Sequence, residues 1–128
     1  MKYSDEVLNR VRTLERVGTL EGEGVGTGEA GTLDEGTVVR IQVRLDGDRI
    51  AEARFKVFGC SAAIASASLV AEWLEGAAMD EAKTLTAERV VQTLELVPER
   101  EHVARMAVEA AEKALADSRK LIAESREA

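Results

Sequence analysis

Two runs of alternating apolar and polar residues, separated by Asp46-Gly47, fix what the centre of this chain can become. Thr37 to Leu45 sets Val39, Ile41, Val43 and Leu45 on one side against Val38, Arg40, Gln42 and Arg44, and Arg49 to Phe58 resumes the same period. That pattern predicts two strands with one buried and one solvated face. Asp46-Gly47 predicts a tight hairpin between them, because glycine accepts the positive φ of a primed turn and aspartate tolerates it. The pair is therefore antiparallel. A lone hairpin is marginal in water, so helices must cover it.

The flanking sequence supplies those helices. Ser4 through Arg16 carries Val7, Leu8, Val11 and Leu14 at the spacing of one helical face, with Ser4 or Asp5 placed to cap the first turn. Ser61 to Glu75 is rich in Ala and Ser, with Ile64, Leu69, Val70, Trp73 and Leu74, and predicts a helix packed closely on the sheet and stopped by Gly76. Short helical segments are expected at Asp80 to Lys83 and, introduced by Thr86, at Ala87 to Leu94, the second ending before Pro98. From Glu99 to about Ser125, Val103, Met106, Ala107, Ala110, Ala114, Leu115, Leu121 and Ile122 trace the apolar stripe of a long closing helix.

Gly18 to Gly36 holds seven of the ten glycines, which predicts turns and mobile extended backbone, with room for a third strand. The expected architecture is a two-layer α+β fold: a small antiparallel sheet of about three strands, covered by helices and closed by a long C-terminal helix. With 128 residues and neither repeat nor linker, residues 1–128 are read as a single domain.

Charge and composition narrow the function. Lys and Arg number 17 against 24 Asp and Glu, and the net charge of −7 repels a phosphate backbone, so nucleic acid is not an expected partner. No apolar run reaches the ~20 residues of a membrane span, and Met1-Lys2-Tyr3-Ser4-Asp5-Glu6 lacks the apolar stretch of a signal peptide, so a cytoplasmic location is expected. The single cysteine, Cys60, cannot form an intrachain disulfide or a zinc knuckle by itself, so any sulfur chemistry must use it.

Gly26-Thr27-Gly28-Glu29-Ala30-Gly31 matches G-x-G-x-x-G by letter but lacks the preceding parallel strand and following helix, and Glu29, Asp34 and Glu35 would repel a pyrophosphate. A flexible glycine loop is the expectation. Cys60 falls where a strand hands over to a helix, where free N–H groups and the helix dipole favour thiolate; equally, a small cysteine can simply fill the core. His102, the one histidine, begins the long helix as either a surface or capping residue or a ligand. Asp34, Cys60 and His102 all lie at element boundaries able to converge at one end of the fold, and mixed O, S and N donors suit zinc or iron. Glu99, Glu101 and Glu35 are read as a solvated face rather than acid/base pairs, and no catalytic residue is expected.

These residues resemble the IscU/NifU N-terminal iron–sulfur cluster assembly scaffolds. Tyr3-Ser4-Asp5-Glu6-Val7 is similar to that family's opening, Val17-Gly18-Thr19-Leu20 to its next landmark, and Gly24-Val25-Gly26-Thr27-Gly28 to its glycine loop. Ala53 through Ser68, with Phe58-Gly59-Cys60-Ser61 at its centre, is the most specific match, and Met79-Asp80-Glu81-Ala82 follows as the short acidic segment. The resemblance spans almost the whole chain and implies the SufE/NifU-like fold. It also implies iron–sulfur assembly, in which such proteins use three cysteines and an aspartate to hold zinc or build a two-iron cluster with sulfur from a cysteine desulfurase.

The match breaks at the ligands. Counting back from Cys60, the family's Ala-Cys-Gly-Asp falls on Leu33-Asp34-Glu35-Gly36, which puts Asp34 at the first cysteine and Gly36 at the aspartate. The family's Leu-Pro-Pro-x-Lys-x-His-Cys falls on Leu96 to Val103, which keeps His102 and turns the third cysteine into Val103; the proline–lysine chaperone-docking signal is altered with it. Clusters are normally held by four cysteines. The expectation is therefore a scaffold homologue with a reduced ligand set: Cys60 as cofactor-binding thiolate, Asp34 and His102 as auxiliary metal ligands, for an iron–sulfur cluster or a single Zn or Fe ion. Two chains can also share a cluster as a homodimer, each giving Cys60. The alternatives are a degenerate paralogue that binds the desulfurase machinery without metal, and a carrier of persulfide on Cys60 alone.

Overall fold

A computed structural model describes the backbone of residues 3–127, with side-chain exposure defined for 3–125. Three strands, β1 (Val25–Thr32), β2 (Thr37–Asp46) and β3 (Arg49–Phe58), form an antiparallel sheet in the order β1-β2-β3. Helices α1 (Asp5–Arg12), α2 (Ser61–Leu74), α3 (Met79–Ala82), α4 (Ala87–Leu94) and α5 (Glu101–Glu127) surround it, α5 being preceded by a 3-10 turn at Pro98–Arg100. The two-layer α+β arrangement expected from the sequence is thus present, with its long C-terminal helix.

Period-two patterning sets the layers. Val39, Ile41 and Val43 of β2 and Ile50, Ala53 and Phe55 of β3 are buried against Leu69, Val70 and Leu74 of α2 and the alanines 104, 107, 110, 111 and 114 of α5. Each large side chain among them removes enough apolar surface from water to contribute about 1.5–3 kcal/mol. The other face of the sheet, carrying Arg40, Gln42, Arg44, Glu52, Arg54 and Lys56, is open. A register shift between Arg44 and Leu45 leaves Ala51 without a partner opposite, so Ile50 and Ala53 both point inward. The hairpin turn lies one residue beyond Asp46-Gly47: Asp46 pairs with Arg49, and Gly47, at φ +60°, and Asp48 make the loop.

The glycine-rich segment supplies the third strand for which the sequence left room, and departs from expectation only in its order. Gly26 to Gly31 is ordered strand rather than mobile loop. Gly26 and Gly28 lie directly beneath α5, where an added Cβ would stand 2.1 Å from the Ala114 carbonyl oxygen and 2.0 Å from that of Ala110. Glycine here permits close helix–strand packing rather than disorder.

Helix α1 also stops at Arg12, short of the expected Arg16. Ser4 caps it, accepting the Val7 N–H at 3.1 Å and donating to the Leu94 carbonyl. Beyond it the chain is captured by the sheet: Phe55 donates its N–H to the Arg16 carbonyl at 2.9 Å and Gly18 donates to Phe55 at 3.0 Å. Arg16 adopts φ +66° to do so and donates through Nε to Glu75 at 2.8 Å.

Glu75 accepts three hydrogen bonds in all, from the Ala53 N–H at 3.1 Å and from Arg54 at 2.8 Å as well as from Arg16. Burial pulls its pKa up, but the Ala53, Arg54 and Arg16 hydrogen bonds and the Arg16 charge outweigh that and hold it below the ordinary glutamate value. A depressed folded-state pKa stabilises the fold fully above the unfolded-state value of about 4.3, and that contribution disappears as pH falls through the lower folded-state value. Glu75→Gln should accordingly cost about 1 kcal/mol at neutral pH and nothing at pH ~2, as read from urea unfolding at both. Equal loss at both pH values would contradict the account.

Candidate functional site

Cys60 occupies the N-cap position of α2, immediately after Phe58-Gly59 at the end of β3. Its side chain makes no capping hydrogen bond and is half-buried. It packs against a small cluster formed by Ala62, Ala63 and Val103, which Tyr3, Val57 and Leu96 border. The residue thus packs against aliphatic carbon while staying partly exposed, at the N-terminal end of a helix.

The other two expected ligands arrive at the same end. Asp34 stands exposed in the turn between β1 and β2, and because β2 starts at Thr37 while Val38 pairs with Phe58, that turn flanks the strand end that delivers Cys60. The contact is close: a Cβ on Gly59 would lie 3.1 Å from Thr37 Cγ2 and 3.5 Å from the Ala63 Cβ. His102 is exposed in the first turn of α5, and α5 begins at this end because Met106 lies over Gly31 while Ala114 lies over Gly26. The three boundaries lie at one end of the fold.

Convergence at one end is not coordination. Among the described residues no group of three or more His, Cys, Asp and Glu side chains is placed to hold one metal ion, so Asp34, Cys60 and His102 share a neighbourhood without forming a centre. Val103, where the third cysteine was expected, is fully buried and fills with methyl groups the space beside Cys60. Gly36 has φ +85° and open space around it, and it supplies the turn's left-handed residue rather than a ligand. Glu99 is exposed and Glu101 half-buried. The Nε of Arg100, in the turn leading to His102, is the one buried side-chain nitrogen or oxygen without a hydrogen-bond partner among the described residues.

An apolar patch beside the site escaped the sequence reading. Leu33 and Phe58 are 69% and 60% exposed, the highest values for large apolar side chains among the described residues. With Val38 between them they line a depression of about 440 Å³ bordered by Glu29, Arg40 and Lys56. Arg40 and Lys56 are cross-strand partners, and neither forms an ion pair within 4.0 Å among the described residues, a like-charge juxtaposition that costs the fold a few tenths of a kcal/mol or more. The signal was available in the strand parity, which places Phe58 on the same face as Arg54 and Lys56. No helix of the described residues is long and apolar enough to cross a membrane.

Comparison with known proteins bears on this arrangement. Residues 2–124 match the model of the NifU-like N-terminal domain. The iron–sulfur cluster assembly scaffold protein IscU of Escherichia coli strain K12 is 38% identical over 120 residues, covering 91% of this chain and 94% of that protein. The protein described as the iron–sulfur cluster assembly enzyme IscU of Drosophila melanogaster is 37% identical over 118 residues, covering 90% of this chain and 77% of that one. Among solved structures, the N-terminal NifU-like protein of Brucella abortus superposes with a TM-score of 0.77 at 16% identity, covering 91% of this chain and 94% of that one.

Proposed function

Because the chain belongs to the NifU-like N-terminal domain family, whose matched relatives include iron–sulfur cluster assembly scaffolds, we propose that it is itself a scaffold-type component of cluster assembly, holding iron and sulfur as cargo without catalytic turnover. The observation that carries this reading is Cys60: a free cysteine, partly exposed, whose side chain makes no capping hydrogen bond at the N-terminus of α2. As thiolate it would bind iron or accept a sulfur atom from a cysteine desulfurase-type donor. His102 and Asp34 serve as auxiliary donors from the neighbouring segments.

These residues do not fit a resident four-ligand centre. With one thiolate and Val103 sealed beside it, the cargo is labile, a cluster or single ion whose shell is completed by solvent or by the Cys60 of a second copy. A second alignment of the turn offers a further donor beside Asp34. The turn's left-handed position demands glycine, and matching Gly36 to the glycine of the resembling Ala-Cys-Gly-Asp motif puts Glu35 at the cysteine and Thr37 at the aspartate, one residue beyond the count from Cys60. Glu35 then joins Asp34 as a carboxylate of the turn.

A second reading, that the chain docks the desulfurase machinery without handling metal, is favoured by the exposed Leu33–Phe58 patch and the buried Val103. One preparation separates the two. Protein purified without oxygen and supplied with ferrous iron, cysteine, a desulfurase and an excess of a dithiol reductant, which supplies the two electrons that turn each persulfide sulfur into sulfide, should hold iron and acid-labile sulfide, with Cys60→Ser lowering both by on the order of tenfold or more. Equal contents in Cys60→Ser and wild type would remove the cargo role, and desulfurase binding retained by both would leave the docking role.

A further inference from the structure

From the contacts along the outer edge of β1 we infer that Lys113, Asp117 and Ser118 of α5 form a guard that keeps a second copy of this chain from adding a strand to the sheet. The two sheet edges are closed differently. Beyond β3, the Arg16–Gly18 segment pairs with Phe55 and occupies that edge. Beyond β1 no strand lies among the described residues, where β1 pairs only with β2.

That open edge is a hazard for this sequence in particular. Three of the eight residues of β1 are glycine, so its side chains specify register weakly, and its outward backbone groups are a template for another strand. Helix α5 lies over β1 and satisfies those groups from the side. Asp117 Oδ2 accepts the Thr27 N–H at 2.9 Å, Lys113 Nζ donates to the Glu29 carbonyl at 3.1 Å, and Ser118 Oγ donates to the Gly24 carbonyl at 2.6 Å. Thr27 and Glu29 are two apart, so both present their backbone on the same side of the strand, away from β2. Lys113 and Asp117 are four apart, one helical turn, which brings a cation and a carboxylate to successive outward positions. An incoming strand would have to displace both charge-assisted bonds before forming its own.

Removal of the two long side chains should therefore open β1 to antiparallel pairing with a second β1. In the double variant Lys113→Ala/Asp117→Ala, amide exchange at Thr27 should accelerate by about tenfold at low protein concentration, the equivalent of one such hydrogen bond. Sedimentation should show, as concentration rises, a species of twice the wild-type mass. Asp117→Asn keeps an oxygen to accept the Thr27 N–H and should retain the wild-type mass at every concentration. The single variant Asp117→Ala provides the same readings if the double variant proves unfolded by circular dichroism. Unchanged Thr27 exchange would show that the guard contact does not exist. Faster exchange with the wild-type mass at all concentrations would show that it guards against nothing.

Discussion

Gly28→Val abolishes the native fold at room temperature, and Gly28→Ala lowers Tm by roughly 10–15 °C, equivalent to about 3 kcal/mol or more. The added Cβ would sit 2.0 Å from the Ala110 carbonyl oxygen and 2.5 Å from the Ala114 nitrogen. Both are backbone atoms of α5, so no side chain can swing aside. The helix must instead retreat from β1 along a contact that buries Ala107, Ala110, Ala111 and Ala114 at 0% exposure. Gly47→Ala supplies the contrast: no atom lies within 4 Å, and only the strain of φ +60° remains, about 1 kcal/mol. Thermal unfolding of the three variants checks the ranking. A Gly28→Ala protein that melts within about 3 °C of wild type would show that α5 and β1 are not packed at this distance.

Val103→Cys gains function rather than losing it. Val103 is fully buried, in the same small cluster as Ala62 and Ala63, against which Cys60 packs. Cysteine is smaller than valine, so the exchange leaves only a small void and costs about 1 kcal/mol. It places a second sulfur at the position where the resemblance expects one. Since loss of even an outer-shell partner changes metal affinity by about 10- to 100-fold, an added thiolate should lengthen iron and sulfide retention on gel filtration by at least on the order of tenfold. Retention no longer than that of wild type would mean that position 103 cannot reach the cargo site.

Local signals made most of the elements readable. Ala87–Leu94 follows directly from the Thr86 cap, whose hydroxyl accepts the Arg89 N–H at 3.3 Å, and the two central strands follow from their alternation. Where expectation and structure part, long-range contact is the reason. Thr13 to Arg16 continues the expected helix, yet hydrogen bonds of Arg16 and Gly18 with Phe55 draw the chain out of α1. Gly26 to Gly31 looks mobile, yet the approach of α5, more than 70 residues later, makes it strand. The site follows the same division. Convergence of Asp34, Cys60 and His102 could be anticipated from element boundaries, whereas the sealing of Val103 against Cys60 depends on how α5 meets α2, and no local pattern encodes that.

Cobalt(II) titration without oxygen tests the role of Cys60 most directly, because each thiolate bound to cobalt adds a sulfur-to-metal charge-transfer absorption that oxygen and nitrogen donors do not give. Wild type should show this band, Val103→Cys about twice its intensity per cobalt, and Cys60→Ser none. A wild-type spectrum indistinguishable from that of Cys60→Ser would mean that the one sulfur of this chain does not reach a metal.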